Sequence, residues 1–569
     1  PAMASFIFSD GVQRTPVVTS ADGRGLLPAD SRLAFAQQDK LGGVDLTDAR
    51  PKRLVGLYPL PSRRLAETDE YPDFFFQPQI YRADGEHVLL APGSYEVEYT
   101  RGPEYLTRTR RITVPEGVEE HEESFRLERW TDLSALGWHS GDHHVHAAGC
   151  SHYQSPEDGV RPEHMWRQLL GEDLDVASVL SWGPGWDNQK RFFTGDEHPL
   201  SNGKTVMRYD VEVSGFPSSH AGHLALLGLH EDDYPGTTRI DEWPSWTGPV
   251  LGWAHGQGAI TGYAHSAYGL EPLTPTTALP NYEMPSMAGI GANEFVVTVA
   301  EGLVDFYSLG DTNPTWELNM WYHTLNAGFR ARAMGESDFP CVFDERIGIG
   351  RTYAKVDGPL SYDGFLAAAK AGRSYVSEGK SHLIDFRADG FELGTGDGEL
   401  RMATAREVTF TARVSAWLPE EQDSVTGSIV ARPDDHNDAR PHWTLLRARV
   451  GTSRRVPVEL VINGRAVARQ EIEADGRWQE VAFTHRIERS SWAALRVYPS
   501  SHTNPIFLVV EGAPIRASRR SAEWLRGAVD RAWEMKAPRI RPEEQAEAAA
   551  AYDRARRVYD RIIAESAVE

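Results

Sequence analysis

Leu136-Gly137-Trp138-His139-Ser140-Gly141-Asp142-His143-His144-Val145-His146 is the stretch on which the reading of this 569-residue chain turns. Its apolar entry at Leu136 and Trp138, and its exit into Ala147 and Ala148, mark a half-buried strand. Alternate side chains of a strand share a face, so His144 and His146 point the same way, with Asp142 at the same period. His143 falls on the opposite face and reads as structural. Two imidazoles on one face form half of a metal site. Alone, such a pair is more often an incidental histidine cluster, because histidine serves several roles besides ligation. The rest of the chain decides.

At 569 residues the chain exceeds the size of a single growing core, so two to four domains are expected. Its 40% hydrophobic and 25% charged residues describe an ordinary globular protein. The 59 basic and 82 acidic residues leave a formal charge of -23, which argues against nucleic acid and anionic membranes as partners. No apolar run is long enough to span a bilayer. With two cysteines, Cys150 and Cys341, there is no disulfide framework. The opening Pro1-Ala2-Met3-Ala4 reads as a cloning scar ahead of mature sequence, and a removed leader is compatible with a secreted or periplasmic location. Nothing in the sequence sets an oligomeric state.

Residues 1–130 carry short β-type runs broken by Gly and Pro, the clearest being Ser94-Tyr95-Glu96-Val97-Glu98-Tyr99, and predict a β-sandwich. Over 131–389 strands alternate with helices, which predicts a mostly parallel sheet, open or closed into a barrel. In that span Pro162 to Leu170 reads as a helix, and Glu294 to Val299 and Val304 to Ser308 as strands. Residues 390–515 return to β pattern and predict a second sandwich. In 516–569 two apolar stripes, one through Trp524, Leu525 and Ala528 and one through Ala551, Ala555 and Tyr559, predict a helical hairpin.

Further ligand-type residues stand at strand ends of the middle region. Glu212 closes Arg208-Tyr209-Asp210-Val211-Glu212-Val213, His265 closes Gly262-Tyr263-Ala264-His265, and Asp338 ends Gly335-Glu336-Ser337-Asp338. His220 and His223 both precede the apolar run Leu224 to Leu229 and compete for one role. Strand ends of α/β folds converge on one face, where sites form. Histidines and carboxylates meeting there have the ligand chemistry of borderline divalent metals. Glu294, Glu301 and Asp305 lie beside late strands without any one standing out, and His152 and His323 read as solvent-facing or supporting residues.

Taken in this order, the motifs resemble the PHP (polymerase and histidinol phosphatase) metallohydrolase superfamily, in its carbaryl-hydrolase-like CehA/McbA branch, over about 131–389. The resemblance implies a distorted seven-stranded β/α barrel, flanked here by the two sandwiches and the helical hairpin. It implies two divalent cations (Zn, Mn or Fe). One would be held by His144, His146, Glu212 and Asp338, the other by Glu212, His223 and His265, with Glu212 shared. Two departures weaken any third site: Ser181-Trp182 stands where the family has an Asp-His pair, and Pro340 where it has a histidine.

The function this implies is hydrolysis of an ester, carbamate or phosphodiester by a metal-activated water, with Glu212, Asp338 and His265 as the catalytic groups. The alternative is a carbohydrate-active metalloenzyme cleaving a glycosidic bond or a sugar ester. Trp182 and Trp186, on a Gly-Pro-Gly loop, would line the site for a small-molecule or carbohydrate substrate, together with Lys190, Arg191 and His152. Cys150 and Cys341 follow ligand motifs and are expected to lie near one another, within reach of a disulfide.

Overall fold

The strict alternation of Ser94 to Tyr99 becomes the strand Gly93–Thr100, whose Tyr95 and Val97 are buried while Ser94 and Glu96 are exposed. The computed structural model describes residues 2–9, 77, 79–88, 90, 92–150, 159–274, 276–343, 346–422, 427 and 441–566. It is a mixed α/β protein that divides into two compact units. Pro1–Leu133, His144–Tyr209 and Ser337–Gly348 form one; Ser134–His143, Asp210–Glu336 and Ile349–Glu569 form the other. The divisions fall inside the strands Trp138–Val145 and Val206–Val213.

In the first unit, four antiparallel strands make one sheet in the order Ile80–Arg82, Ala4–Ser9, Gly93–Thr100, Arg108–Val114. A second layer for the expected N-terminal sandwich is not among the described residues. Phe8, Ile80, Tyr95, Val97 and Ile112 form its apolar face. The sheet is tied to the helix Pro162–Gly171, which begins with proline at its first turn as the sequence predicts. Arg167 of that helix bonds Glu86 and the Tyr81 carbonyl, and Tyr81 Oη donates to Glu172 at 2.6 Å.

In the second unit, Ile260–Tyr263, Phe306–Leu309 and Arg332–Gly335 run parallel. Leu224–Leu227 runs antiparallel to the end of Val206–Val213 and to Ile260–Tyr263, so the sheet is mixed and not mostly parallel. The short connection 214–223 explains the first of these reversals, since a parallel crossover needs a dozen or more residues. Among the described residues no sheet closes on itself, so the strands form open sheets where a barrel was one expectation. Glu294 to Val299 is also not a strand: Phe295–Thr298 is one buried helical turn. A short apolar run carries no periodicity that separates the two.

In the C-terminal β region two sheets share one apolar core. Ser381–Ala388, Arg406–Ala416 and Gln479–Ile487 make one sheet with Phe391–Glu392, and Arg455–Ile462, Ser491–Val497 and Ile506–Val510 lie in the other. Leu383, Phe386, Val408 and Phe410 share one apolar core with Val456, Leu460, Leu495 and Leu508. The helices Arg519–Lys536 and Gln545–Glu565 pack as the predicted hairpin, with Trp533 on Tyr552 and Arg526 on Asp560. None of the described helices is long and apolar enough to cross a membrane.

Candidate metal centre

Each unit gathers a buried cluster of histidine and carboxylate. In the first, Val145 pairs in parallel with Phe339, and the His146 N–H donates to the Phe339 carbonyl at 2.6 Å. That pairing lays Asp338 beside the strand end. His144 Nε2 and His146 Nε2 are 3.0 Å apart, and Asp338 Oδ1 lies 3.3 Å from the former and 3.0 Å from the latter. All three residues are buried, and Asp338 holds the left-handed backbone at φ 49°. A non-glycine residue there is uncommon and tends to mark functional sites.

The second cluster follows from strand direction. Glu212 lies near the end of Val206–Val213, and His265 lies two residues past Ile260–Tyr263. Because Leu224–Leu227 runs antiparallel to both, its beginning sits at the rim where they end, which is why His223 precedes its strand. His223 Nδ1 is 3.0 Å and His265 Nε2 3.4 Å from Glu212 Oε1. His265 also has positive φ, 45°.

Supporting groups fix the ring orientations. His146 Nδ1 faces the Leu180 carbonyl at 2.9 Å, which assigns its proton to Nδ1 and a lone pair to Nε2. His265 Nδ1 faces Asp311 Oδ2 at 2.8 Å, so its Nε2 lone pair faces the Glu212 carboxylate. The His265 backbone N–H donates to Glu336 Oε1 at 2.9 Å. Behind Asp311, Glu317 accepts from Thr312 Oγ1 at 2.6 Å and from Trp443 Nε1 at 2.7 Å. Burial first, then the Asp311 charge, pushes the Glu317 carboxyl well above the usual carboxylate range.

These ligand sets fit divalent cations. Imidazole lone pairs facing a carboxylate oxygen are acceptors facing acceptors; a cation between them satisfies all three groups, whereas a proton satisfies one pair. Tetrahedral ligation at metal–nitrogen distances of about 2.0–2.1 Å sets ligand atoms about 3.3 Å apart, close to the observed spacings. A ligating histidine that donates its other N–H to a carboxylate is the usual arrangement, and His265 with Asp311 has it. The buried His, Asp and Glu clusters could therefore hold metal ions.

The expected ligands thus assemble as His144, His146 and Asp338 in one unit and Glu212, His223 and His265 in the other. His220 is set apart: its Nε2 donates to the Ser245 carbonyl at 3.0 Å, and burial, with Arg539 adding, pulls it down to about 4. His143 lies between the Gly335 carbonyl and Ser308 Oγ, each at 2.9 Å. His323 is buried, not solvent-facing; it bonds the Asn281 carbonyl and Ser521 and stacks on Trp524. Glu294 serves Thr247 and Tyr552, Glu301 serves Arg554, and Asp305 serves His255.

Of the residues expected to line a substrate, Trp182 packs 5.2 Å from the His146 ring and donates its Nε1 hydrogen to the Ala148 carbonyl at 2.6 Å. Trp186 is also buried, with Lys190 over its ring, while Arg191 lies over Phe192. His152 lies outside the described residues. No disulfide joins Cys150 and Cys341, although both pack in the apolar cluster containing Val145, Trp182 and Phe339. Sequence reasoning missed Asp311 and Glu336. Both follow an apolar strand by one or two residues, the same strand-end signal that found Asp338.

Comparison of the chain with protein-family models, curated proteins and solved structures returned no match.

Proposed function

We propose that this protein is a metal-dependent hydrolase acting on an ester, carbamate or phosphodiester, with one divalent cation at each cluster. The observation that carries the reading is His265, held between Asp311 behind it and Glu212 before it. The motif resemblance to PHP metallohydrolases of the CehA/McbA type and an exported location belong to the same proposal.

A divalent cation, when bound, makes a water nucleophilic near neutral pH and polarises the oxygen of the electrophile. The chain's own part is to hold and orient. Asp311 keeps the His265 proton on Nδ1, so that Nε2 stays a lone-pair ligand. Glu212 and Asp338 supply the negative charge that balances the cations and can accept a proton from a water beside them. Trp182 covers one side of His146 and restricts the approach of solvent there.

Metal analysis of the purified protein, then a panel of esters, carbamates and phosphodiesters on the metal-loaded protein, tests the proposal. It expects near-stoichiometric metal and turnover of at least one class. Inactivity across the panel with metal bound would overturn it. A second reading, cleavage of a glycosidic bond or sugar ester, draws on the aromatic pair Trp182 and Trp186; polysaccharide hydrolysis without small-ester activity would favour it.

A further inference from the structure

We infer that Cys341 is a thiolate ligand of the first cluster, making that site a mixed nitrogen, oxygen and sulfur site selective for zinc-like cations. The inference rests on the reading that His144, His146 and Asp338 bind a metal.

Cys341 N–H donates to the Asp338 carbonyl at 2.6 Å, and Val342 N–H donates to the same carbonyl at 3.0 Å. This tight turn folds residue 341 back toward residue 338. Ligand atoms of His146, Asp338 and Cys341 all lie within 4.8 Å of one another. His144 Nε2 lies 3.0 Å from His146 Nε2 and 3.3 Å from Asp338 Oδ1, so it joins two of these three ligands. Cys341 is only partly buried, at the edge of the apolar cluster that contains Cys150, so the same position would also suit a small apolar side chain. Ligand chemistry separates the two roles. A thiolate favours Zn, Co and Cd over Mn, whereas imidazole with carboxylate alone discriminates less.

The second cluster, Glu212, His223 and His265, contains no sulfur. Any sulfur-to-metal signal therefore reports on the first.

The test uses the full chain stripped of metal and titrated with cobalt(II) chloride, and separately with cadmium and manganese chlorides. Visible ligand-field bands report metal binding; a near-ultraviolet sulfur-to-cobalt charge-transfer band reports thiolate ligation. We expect both in the wild type. In Cys341→Ser and Cys341→Ala the ligand-field bands should remain and the charge-transfer band should vanish. Cadmium affinity should fall at least about tenfold while manganese affinity holds, a loss no smaller than that of removing a supporting group. Cys150→Ala should leave the charge-transfer band unchanged. Ligand-field bands without a charge-transfer band in the wild type would overturn the inference and leave the metal reading standing. A charge-transfer band that survives Cys341→Ala and disappears in Cys150→Ala would overturn it as well. Absence of any cobalt bands would remove the metal reading and this inference with it.

Discussion

The two ligand clusters use the same residue types but are braced differently. Behind His265 stand Asp311 and, beyond it, Glu317 with Thr312 and Trp443; its backbone N–H is held by Glu336. His146 Nδ1 faces a main-chain carbonyl, that of Leu180, with the Trp182 ring against one side. A carboxylate raises the basicity of the imidazole whose N–H it accepts a hydrogen bond from, more than a neutral carbonyl does. The second cluster is thus built to hold its cation through charge. The first relies on strand geometry, with Asp338 laid beside His146 by the pairing of Val145 with Phe339.

The largest effect expected from this contrast is at Asp338, the only carboxylate among His144, His146 and Asp338. Asp338→Ala should lower activity by more than about a hundredfold, beyond the usual loss for a supporting group, with the fold intact by circular dichroism. Asp338→Asn should be as inactive but more stable than the alanine variant, because asparagine tolerates the left-handed backbone at φ 49°. Wholesale unfolding of both variants would show the aspartate to be structural.

A smaller loss is expected from Asp311→Asn. It should weaken metal binding about 10–100-fold at one of two binding steps in calorimetry and leave the other unchanged. Unchanged affinity at both steps would erase the difference between a carboxylate and a carbonyl brace.

Less again is expected from Trp182→Phe, which removes the hydrogen bond to Ala148 but keeps an aromatic against His146. Stability should drop by about 1 kcal/mol in denaturant melts. Metal content should hold, and KM should rise more than kcat falls if the indole also touches substrate.

The smallest effect concerns the surroundings of the second cluster. His220 donates to the Ser245 carbonyl, and its own carbonyl accepts from the buried Lys536, which also bonds the Gly289 carbonyl next to the residue that His223 N–H contacts. Folded His220 titrates near 4, below its ordinary value of 6.5, so the unfolded chain takes up the proton first as pH falls. Its stabilising contribution is present above about pH 6.5 and is lost on the way to about pH 4. The stability gap between wild type and His220→Gln should therefore shrink over that window. A gap independent of pH would show that His220 gains a proton as readily folded as unfolded.

What could be read without the fold was whatever depends on local period. Alternation put His144 and His146 on one face and marked Ser94 to Tyr99 as a strand, and the helical period of about 3.6 residues set the two apolar stripes of the terminal helices. The strand-end rule found Glu212, His265 and Asp338, and applied more strictly it would have found Asp311 and Glu336. Where the period was absent, as in Phe295–Thr298, strand and helix could not be told apart.

The sequence by itself determined which residues could be ligands and on which face of each strand they lie, because those follow from the two-residue repeat of an extended chain. Tertiary structure alone decided which of them meet. Val145 pairs with Phe339 across a long stretch of chain, and Leu224–Leu227 reverses direction between its neighbours, which selects His223 and turns His220 toward Ser245. Register between distant segments is fixed by the packing of whole faces against one another, and no local pattern encodes it.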